Sequence, residues 1–137
     1  MKQTLSRTVT MLGGLLVALV AAGRTQAPAG HAHTSPHGGD IVEVANHHVE
    51  FKADSAGSIA VWLLDSHEKT VAPPTGASVT LIDATGGQAT VPLQVDREAQ
   101  RLVARFDPRK FATFQAIVSL AIAGTRHNVR FRYPAHH

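Results

Sequence analysis

Cysteine is absent from the 137-residue chain, and its two methionines, Met1 and Met11, both lie near the N-terminus. The absence of cysteine excludes disulfide bonds, thiolate metal sites and a lipid anchor on a cysteine. Roughly 100 residues can still bury a core large enough to fold without such cross-links. We therefore expect that any metal ion is held by imidazole and carboxylate groups.

The sequence also lacks the short motifs of common enzyme classes. It contains no GxSxG, no HExxH and no glycine-rich phosphate-binding loop. His67 and Glu68 begin like HExxH, but Val71 stands where the second histidine of that motif belongs. No local motif places a base beside a serine. We therefore expect a binding protein without catalytic residues rather than an enzyme.

Residues 1–29 have the pattern of a secretory signal peptide. Lys2 and Arg7 precede an apolar run from Met11 to Gly23, and Ala27-Pro28-Ala29 offers a cleavage site of the small-x-small form. The apolar run is shorter than the roughly 20 residues that span a bilayer. We expect cleavage, export to the periplasm and no membrane anchor afterwards.

Cleavage would also remove the excess of positive charge. The whole chain has 13 basic and 10 acidic residues, which gives a formal net charge of +3. Lys2, Arg7 and Arg24 precede Ala29, so a cut there leaves 10 basic residues, whereas a cut near Ala22 would keep Arg24. A balanced charge gives no indication of a nucleic-acid partner or of binding to a membrane surface.

From residue 40 onward the sequence predicts an all-β fold. Short β-branched runs alternate with turn residues such as Gly86-Gly87 and Gly124-Thr125. This spacing is typical of a sandwich or barrel, and we expect an immunoglobulin-like antiparallel β-sandwich of about seven to eight strands. The predicted strands are 41–44, 47–53, 58–64, 77–83, 89–95, 102–106, 114–123 and 126–133.

Two of these strands are apolar on nearly both faces, which predicts central positions in the sheets. They are residues 58–64 and 114–123. Pro92 interrupts the run 89–95 and removes a hydrogen-bond donor, so we expect that strand at an edge.

The last predicted strand alternates between two faces. His127 shares its face with Val129 and Phe131, so we expect a buried, hydrogen-bonded histidine there. The outward face carries arginines that Glu43 or Glu50 could pair with, and we expect a solvated, ion-paired surface. These arginines are Arg126, Arg130 and Arg132.

Residues 30–39 combine proline and glycine with three histidines, a composition that cannot bury an apolar face. We predict a flexible histidine-rich arm here, before a β-sandwich domain at 40–134 and a tail at 135–137. The arm histidines could gather around one metal ion or serve only as a polar leader, and their density favours the metal. They are His31, His33 and His37.

A second group of candidate ligands lies in the strand predicted for residues 47–53. His47 and His48 are neighbours and therefore point to opposite faces, so only one of them belongs to a given site. His48 and Glu50 share a face about 7 Å apart. The alternative is an exposed polar pair, but the arm lies immediately upstream and could fold over this face.

Three stretches together resemble a known family: PHGGDIVEVANHHVEF, SIAVWLLDSHEKTVAPP and RHNVRFRYP. The chain resembles small periplasmic metal-binding domains related to the N-terminal domains of heavy-metal efflux membrane-fusion proteins, the adaptors of resistance-nodulation-division pumps. The resemblance covers most of residues 36–133 and implies His37, His48 and Glu50 as the family-like positions, with His47 beside them. The chain lacks the coiled-coil hairpin of such adaptors, so the resemblance implies an accessory protein.

These observations predict an exported protein that binds a divalent transition metal and buffers it or delivers it to a periplasmic efflux component. Without sulfur ligands Cu(I) is disfavoured, Zn(II), Ni(II) and Co(II) fit, and the affinity order favours Cu(II). The alternative is an immunoglobulin-like interaction module of an envelope complex, with no specific metal role. The predicted ligands are His31, His33, His37, His47, His48 and Glu50.

Overall fold

A computed structural model describes residues 34–134 of the chain, and these form two antiparallel sheets packed as a β-sandwich. The predicted all-β fold is confirmed. Residues 1–33 and 135–137 lie outside the described part, and with them the predicted signal peptide, His31, His33 and the tail. The strands are β1 (Asp40–Val44), β2 (His47–Ala53), β3 (Ser58–Leu64), β4 (Ser78–Ile82), β5 (Gln88–Pro92), β6 (Gln94–Asp96), β7 (Arg101–Arg105), β8 (Phe114–Ile122) and β9 (Thr125–Tyr133).

One sheet has five strands in the order β1-β2-β3-β7-β6, and the other has four in the order β5-β4-β8-β9. The central positions predicted for β3 and β8 are confirmed, because each has a hydrogen-bonded strand on both sides. Their apolar residues on both faces suit strands that are covered more completely than the edges. Within residues 34–134 no helix is long and apolar enough to cross a membrane.

The single strand predicted for residues 89–95 is wrong, because the chain changes sheets in the middle of it. β5 ends at Pro92 on the edge of the four-stranded sheet, and β6 begins at Gln94 on the edge of the other. Leu93 between them is buried, and its N–H donates to the carbonyl oxygen of Ala77 at 2.9 Å. Proline has no N–H to donate to a neighbouring strand. Pro92 fits here because β5 is an edge strand, with a hydrogen-bonded neighbour on one side only. This division gives nine strands instead of the expected seven to eight.

The core lies between the sheets and is built from alternate residues of each strand. Val49 and Phe51 of β2 face Val129 and Phe131 of β9, as their parity predicts. The rings of Phe51 and Phe131 stack with their centroids 4.9 Å apart. This contact joins an inner strand of one sheet to an edge strand of the other.

His127 is only partly as expected. It lies on the inward face of β9, but it is half-exposed because it is close to the turn at Ala123 and Gly124, where the sandwich ends. Inward parity therefore does not bring full burial to a residue at the end of a strand. The prediction of a buried histidine is wrong.

The outward arginines of β9 are not ion-paired with Glu43 or Glu50, because those carboxylates belong to the other sheet. Among residues 34–134, the salt bridges join His37 to Glu50, Arg101 to Asp96 and Arg109 to Asp107. The expectation of an ion-paired arginine face is therefore wrong.

Replacing Phe131 by alanine should lower the free energy of unfolding by about 3–5 kcal/mol, because it empties half of the stacked pair between the sheets. Arg130→Ala, the outward neighbour, is the control and should change stability by about 0.5 kcal/mol or less. Urea unfolding followed by circular dichroism measures both. Equal losses in the two variants would contradict this assignment of the core.

Candidate functional site

Glu50 is a fully buried carboxylate on the outer face of the five-stranded sheet. Its cross-strand neighbours are Ile41 of β1 and Trp62 of β3. Residues 34–39, here called the strap, lie over this carboxylate and shield it from water. The flexible arm predicted for residues 30–39 is therefore corrected for its second half, which is hydrogen-bonded to the sheet.

Within residues 34–134, the hydrogen-bond donors of the Glu50 carboxylate come from the strap. Oε1 accepts from the Ser35 hydroxyl at 2.6 Å and from the backbone N–H groups of His37 and Gly39 at 2.9 Å each. Oε2 lies 2.7 Å from Nδ1 of His37. An ionised carboxylate only accepts, so Nδ1 carries the hydrogen and donates it.

These donors keep Glu50 ionised in spite of its burial. Burial by itself raises the pKa of the Glu50 carboxyl, but the hydrogen bonds from Ser35, Gly39 and His37 together outweigh it and lower the pKa below the ordinary value of 4.5. At neutral pH the group is therefore a buried anion whose charge is stabilised by the strap.

The His37 ring is held in a fixed plane by two contacts. It stacks on Trp62 with centroids 4.2 Å apart and planes 2° from parallel, and its Nδ1 donates to Glu50. Trp62 is buried beneath it, with 6% of its surface exposed. In the neutral ring the lone pair is consequently on Nε2. A carboxylate that orients a histidine in this way is the usual neighbour of a metal-binding imidazole.

Glycine at position 39 is required by the close approach of the strap to β2. A Cβ atom at Gly39 would lie 2.5 Å from the carbonyl oxygen of Phe51 and 3.0 Å from Cγ of Glu50. Gly38 has a positive φ of 77°, which glycine adopts without strain. The HGG sequence therefore serves the docking of the strap onto the sheet.

His48 lies on the same face of β2 as Glu50, as its parity predicts, and is also buried. Its Nδ1 lies 3.0 Å from the carbonyl oxygen of Asp65, in the turn that follows β3. A carbonyl accepts only, so this nitrogen too carries the hydrogen. His37 and His48 are thus in the same tautomeric state when neutral, with Nδ1 donating to an oxygen and the lone pair on Nε2.

Of the other predicted ligands, His31 and His33 lie outside residues 34–134, and His47 does not share the face of Glu50. His47 lies on the opposite parity, and its Nδ1 is 3.0 Å from the carbonyl oxygen of Ala45. Within residues 34–134 no three histidine, aspartate or glutamate side chains gather as a group that could hold a metal ion. Whether the predicted set binds a metal stays a prediction.

Sequence reasoning missed the parts played by Ser35 and Trp62. Trp62 is the single tryptophan of the chain, and it stands directly across from Glu50 in the register of β2 and β3. The sequence did contain a signal, since the alternation of its strand places Trp62 on the outer face of the sheet. A large ring on an outer face needs something to cover it.

Comparison with known proteins finds no matching family model, no matching curated protein and no matching solved structure.

Glu50→Gln should lower the free energy of unfolding by about 2–3 kcal/mol at pH 7, because the strap then donates to a neutral amide whose NH₂ group cannot accept. Glu43→Gln is the matched control: it is exposed on the same face of the sheet and should be nearly neutral. Urea unfolding with Trp62 fluorescence as the signal measures both.

The same pair also tests the charge of Glu50. A carboxylate with a lowered folded pKa contributes stability above its unfolded value of about 4.5 and loses that contribution as the pH falls through the folded value. The stability difference between the unaltered chain and Glu50→Gln should therefore be constant near neutrality and narrow below pH 4.5. A difference that stays constant down to pH 3 would contradict a buried anion.

Proposed function

We propose that the chain is an exported metal-binding protein that holds a divalent transition ion and buffers it or delivers it to a heavy-metal efflux component. The proposal is supported chiefly by one observation: His37 and His48 both lie on the face of the sheet that carries Glu50, and both have a fixed ring orientation. Each directs Nδ1 at an oxygen acceptor, at 2.7 Å and 3.0 Å, which favours Nε2 as the metal-binding atom.

In this proposal Glu50 positions a ligand instead of being one. Direct binding of a metal to its carboxylate would displace hydrogen bonds from Ser35, His37 and Gly39. Holding His37 in place keeps those bonds and also raises the basicity of Nε2. The sequence-based prediction of Glu50 as a ligand is thus replaced by a positioning role.

His31 and His33 are the proposed further ligands, since they stand six and four positions before His37. An extended chain covers about 3.3–3.6 Å per residue, so both positions are close enough to His37 to contribute to one ion. Four imidazoles would satisfy the tetrahedral preference of Zn(II), and nitrogen ligands also suit Cu(II) and Ni(II). His47 is not needed for such a set.

Export and an efflux partner are part of the proposal through the N-terminal sequence and the family resemblance. The basic and apolar segments of residues 1–29 have the order of a secretory signal. A protein of this size with a histidine site and no thiol suits an oxidising compartment, where cysteine ligands would be lost to disulfides.

Titration with Cu(II) should quench the fluorescence of Trp62, because the ring of the proposed ligand His37 stacks on it at 4.2 Å. His48→Ala leaves that stack intact and should weaken binding at least about tenfold, while Glu50→Gln should weaken it about 10–100-fold through loss of orientation. His67→Ala, an exposed histidine in a turn, is the control and should bind like the unaltered chain.

The affinity should also fall as the pH is lowered below about 6.5, since imidazoles must lose their protons before they bind a metal. Calorimetric titrations with Zn(II), Ni(II) and Co(II) under the same conditions rank the ions. Binding that is independent of pH, or that is equal in His48→Ala and His67→Ala, would contradict the site. The interaction-module alternative would then stand in its place.

Removal of metal should leave the domain folded. Its core is an apolar layer between two sheets and contains neither His37 nor His48, so the ion is not needed to assemble it. Circular dichroism before and after treatment with a chelator measures this. Loss of the β spectrum on chelation would show that the metal organises the fold.

A further inference from the structure

The two sheets of the sandwich differ sharply in their acidic residues. None of the four strands β4, β5, β8 and β9 contains an aspartate or a glutamate. All ten acidic residues of the chain therefore lie in the other sheet or in connecting segments. They are Asp40, Glu43, Glu50, Asp54, Asp65, Glu68, Asp83, Asp96, Glu98 and Asp107.

The outer face of the four-stranded sheet has two isoleucines among polar residues in its middle and arginines along one side. In the antiparallel register Arg132 stands beside Gln115 and Ile82, while Arg130 stands beside Ile117 and Thr80. The two isoleucines are half-exposed, and the arginines are exposed. We call this surface the arginine face, defined by Ile82, Gln115, Ile117, Arg126, Arg130 and Arg132.

The charges of this face are not neutralised by the described part of the chain. Arg126 donates to the Ser119 hydroxyl at 3.1 Å and to the carbonyl oxygen of Gly76 at 3.4 Å, both uncharged. Arg130 and Arg132 have no salt bridge among residues 34–134. Asp40 lines a small cavity together with Arg132 but forms no salt bridge with it.

The carboxylate nearest in sequence to this sheet is occupied within its own turn. Asp83 follows β4, and its Oδ1 accepts from the N–H and hydroxyl of Thr85 and from the N–H of Gly87, each at 2.8 Å. These bonds hold the pKa of the Asp83 carboxyl below its ordinary value. Oδ1 is therefore engaged in the β4–β5 turn, and Asp83 forms no salt bridge with Arg132, although both line one cavity.

We propose that the arginine face docks an acidic surface of a partner protein. The guanidinium group forms two parallel hydrogen bonds with a carboxylate, so a partner that presents aspartate or glutamate opposite Arg130 and Arg132 fits these side chains. Arginine is enriched in protein–protein interfaces, where it is found beside partly exposed apolar side chains such as those of Ile82 and Ile117. This inference does not depend on the metal proposal.

A protein partner fits this face better than a lipid bilayer or a nucleic acid. Binding at a membrane interface uses protruding aromatic and apolar side chains, and single-stranded nucleic acids stack on aromatic rings. Of the phenylalanine and tyrosine rings in β4, β5, β8 and β9, Phe114 and Phe131 are buried in the core and Tyr133 packs against it, so none stands out from the arginine face.

The test uses the full chain labelled with ¹⁵N and a strand-length peptide of about ten residues that alternates glutamate and threonine. On addition of the peptide, the amide resonances of β8 and β9 should shift around Arg130, Arg132 and Ile117. The affinity for the peptide should fall as the salt concentration is raised. The matched peptide with glutamine in place of glutamate should cause no such shifts.

Arg130→Glu combined with Arg132→Glu should weaken binding of the acidic peptide at least about tenfold. The reason is that the new glutamates on the face repel the glutamates of the peptide. The control carries the same change in net charge on other parts of the surface, Arg97→Glu with Arg105→Glu, both exposed, and should bind within about twofold of the unaltered chain. Exposed positions keep the fold intact, which circular dichroism checks.

Three results would overturn the proposal. The first is the absence of shifts at millimolar acidic peptide, and the second is equal weakening in both charge-reversal variants. The third is arginine-dependent binding to phosphatidylglycerol vesicles without binding of the peptide, which would assign the face to anionic lipids.

Discussion

The buried charge of Glu50 is the constraint on which the outer face of the five-stranded sheet depends. An ionised carboxylate without solvent is tolerated only where donors surround it, and β2 and its neighbours direct no donor of their own at it. Ser35, His37 and Gly39 provide them from the strap. The conformation of the strap, the glycine at position 39 and the burial of Trp62 all follow from this one requirement.

The same requirement links structure to the proposed chemistry. A strap that only needed to cover Glu50 could use any donors, yet one of them is an imidazole, stacked and held in a single tautomer. His48 reaches the same state through a backbone carbonyl. Preorganised ligand nitrogens lose little entropy on binding, which favours these two rings over histidines whose conformation is not held by hydrogen bonds. The apolar core contains neither ring, so the proposed ion is not needed to assemble that core.

The two outer faces of the sandwich are chemically distinct. The five-stranded sheet carries the buried anion and the histidines, whereas the four-stranded sheet carries arginines and no carboxylate within its strands. In the two proposals, each face therefore binds a different kind of partner.

Local periodicity in the sequence determined the all-β class, the bounds of most strands and the face on which His48, Glu50 and Phe131 lie, because parity is set by the pleat of the strand itself. Only the tertiary structure decided which groups meet across long separations. It divided residues 89–95 between two sheets and made Glu50 the acceptor of hydrogen bonds from the strap. It also left the arginines of β9 on a different sheet from the glutamates expected to pair with them. Carboxylates attract metals, cations and N–H donors alike, so the identity of a partner depends on which group the fold brings within hydrogen-bonding distance.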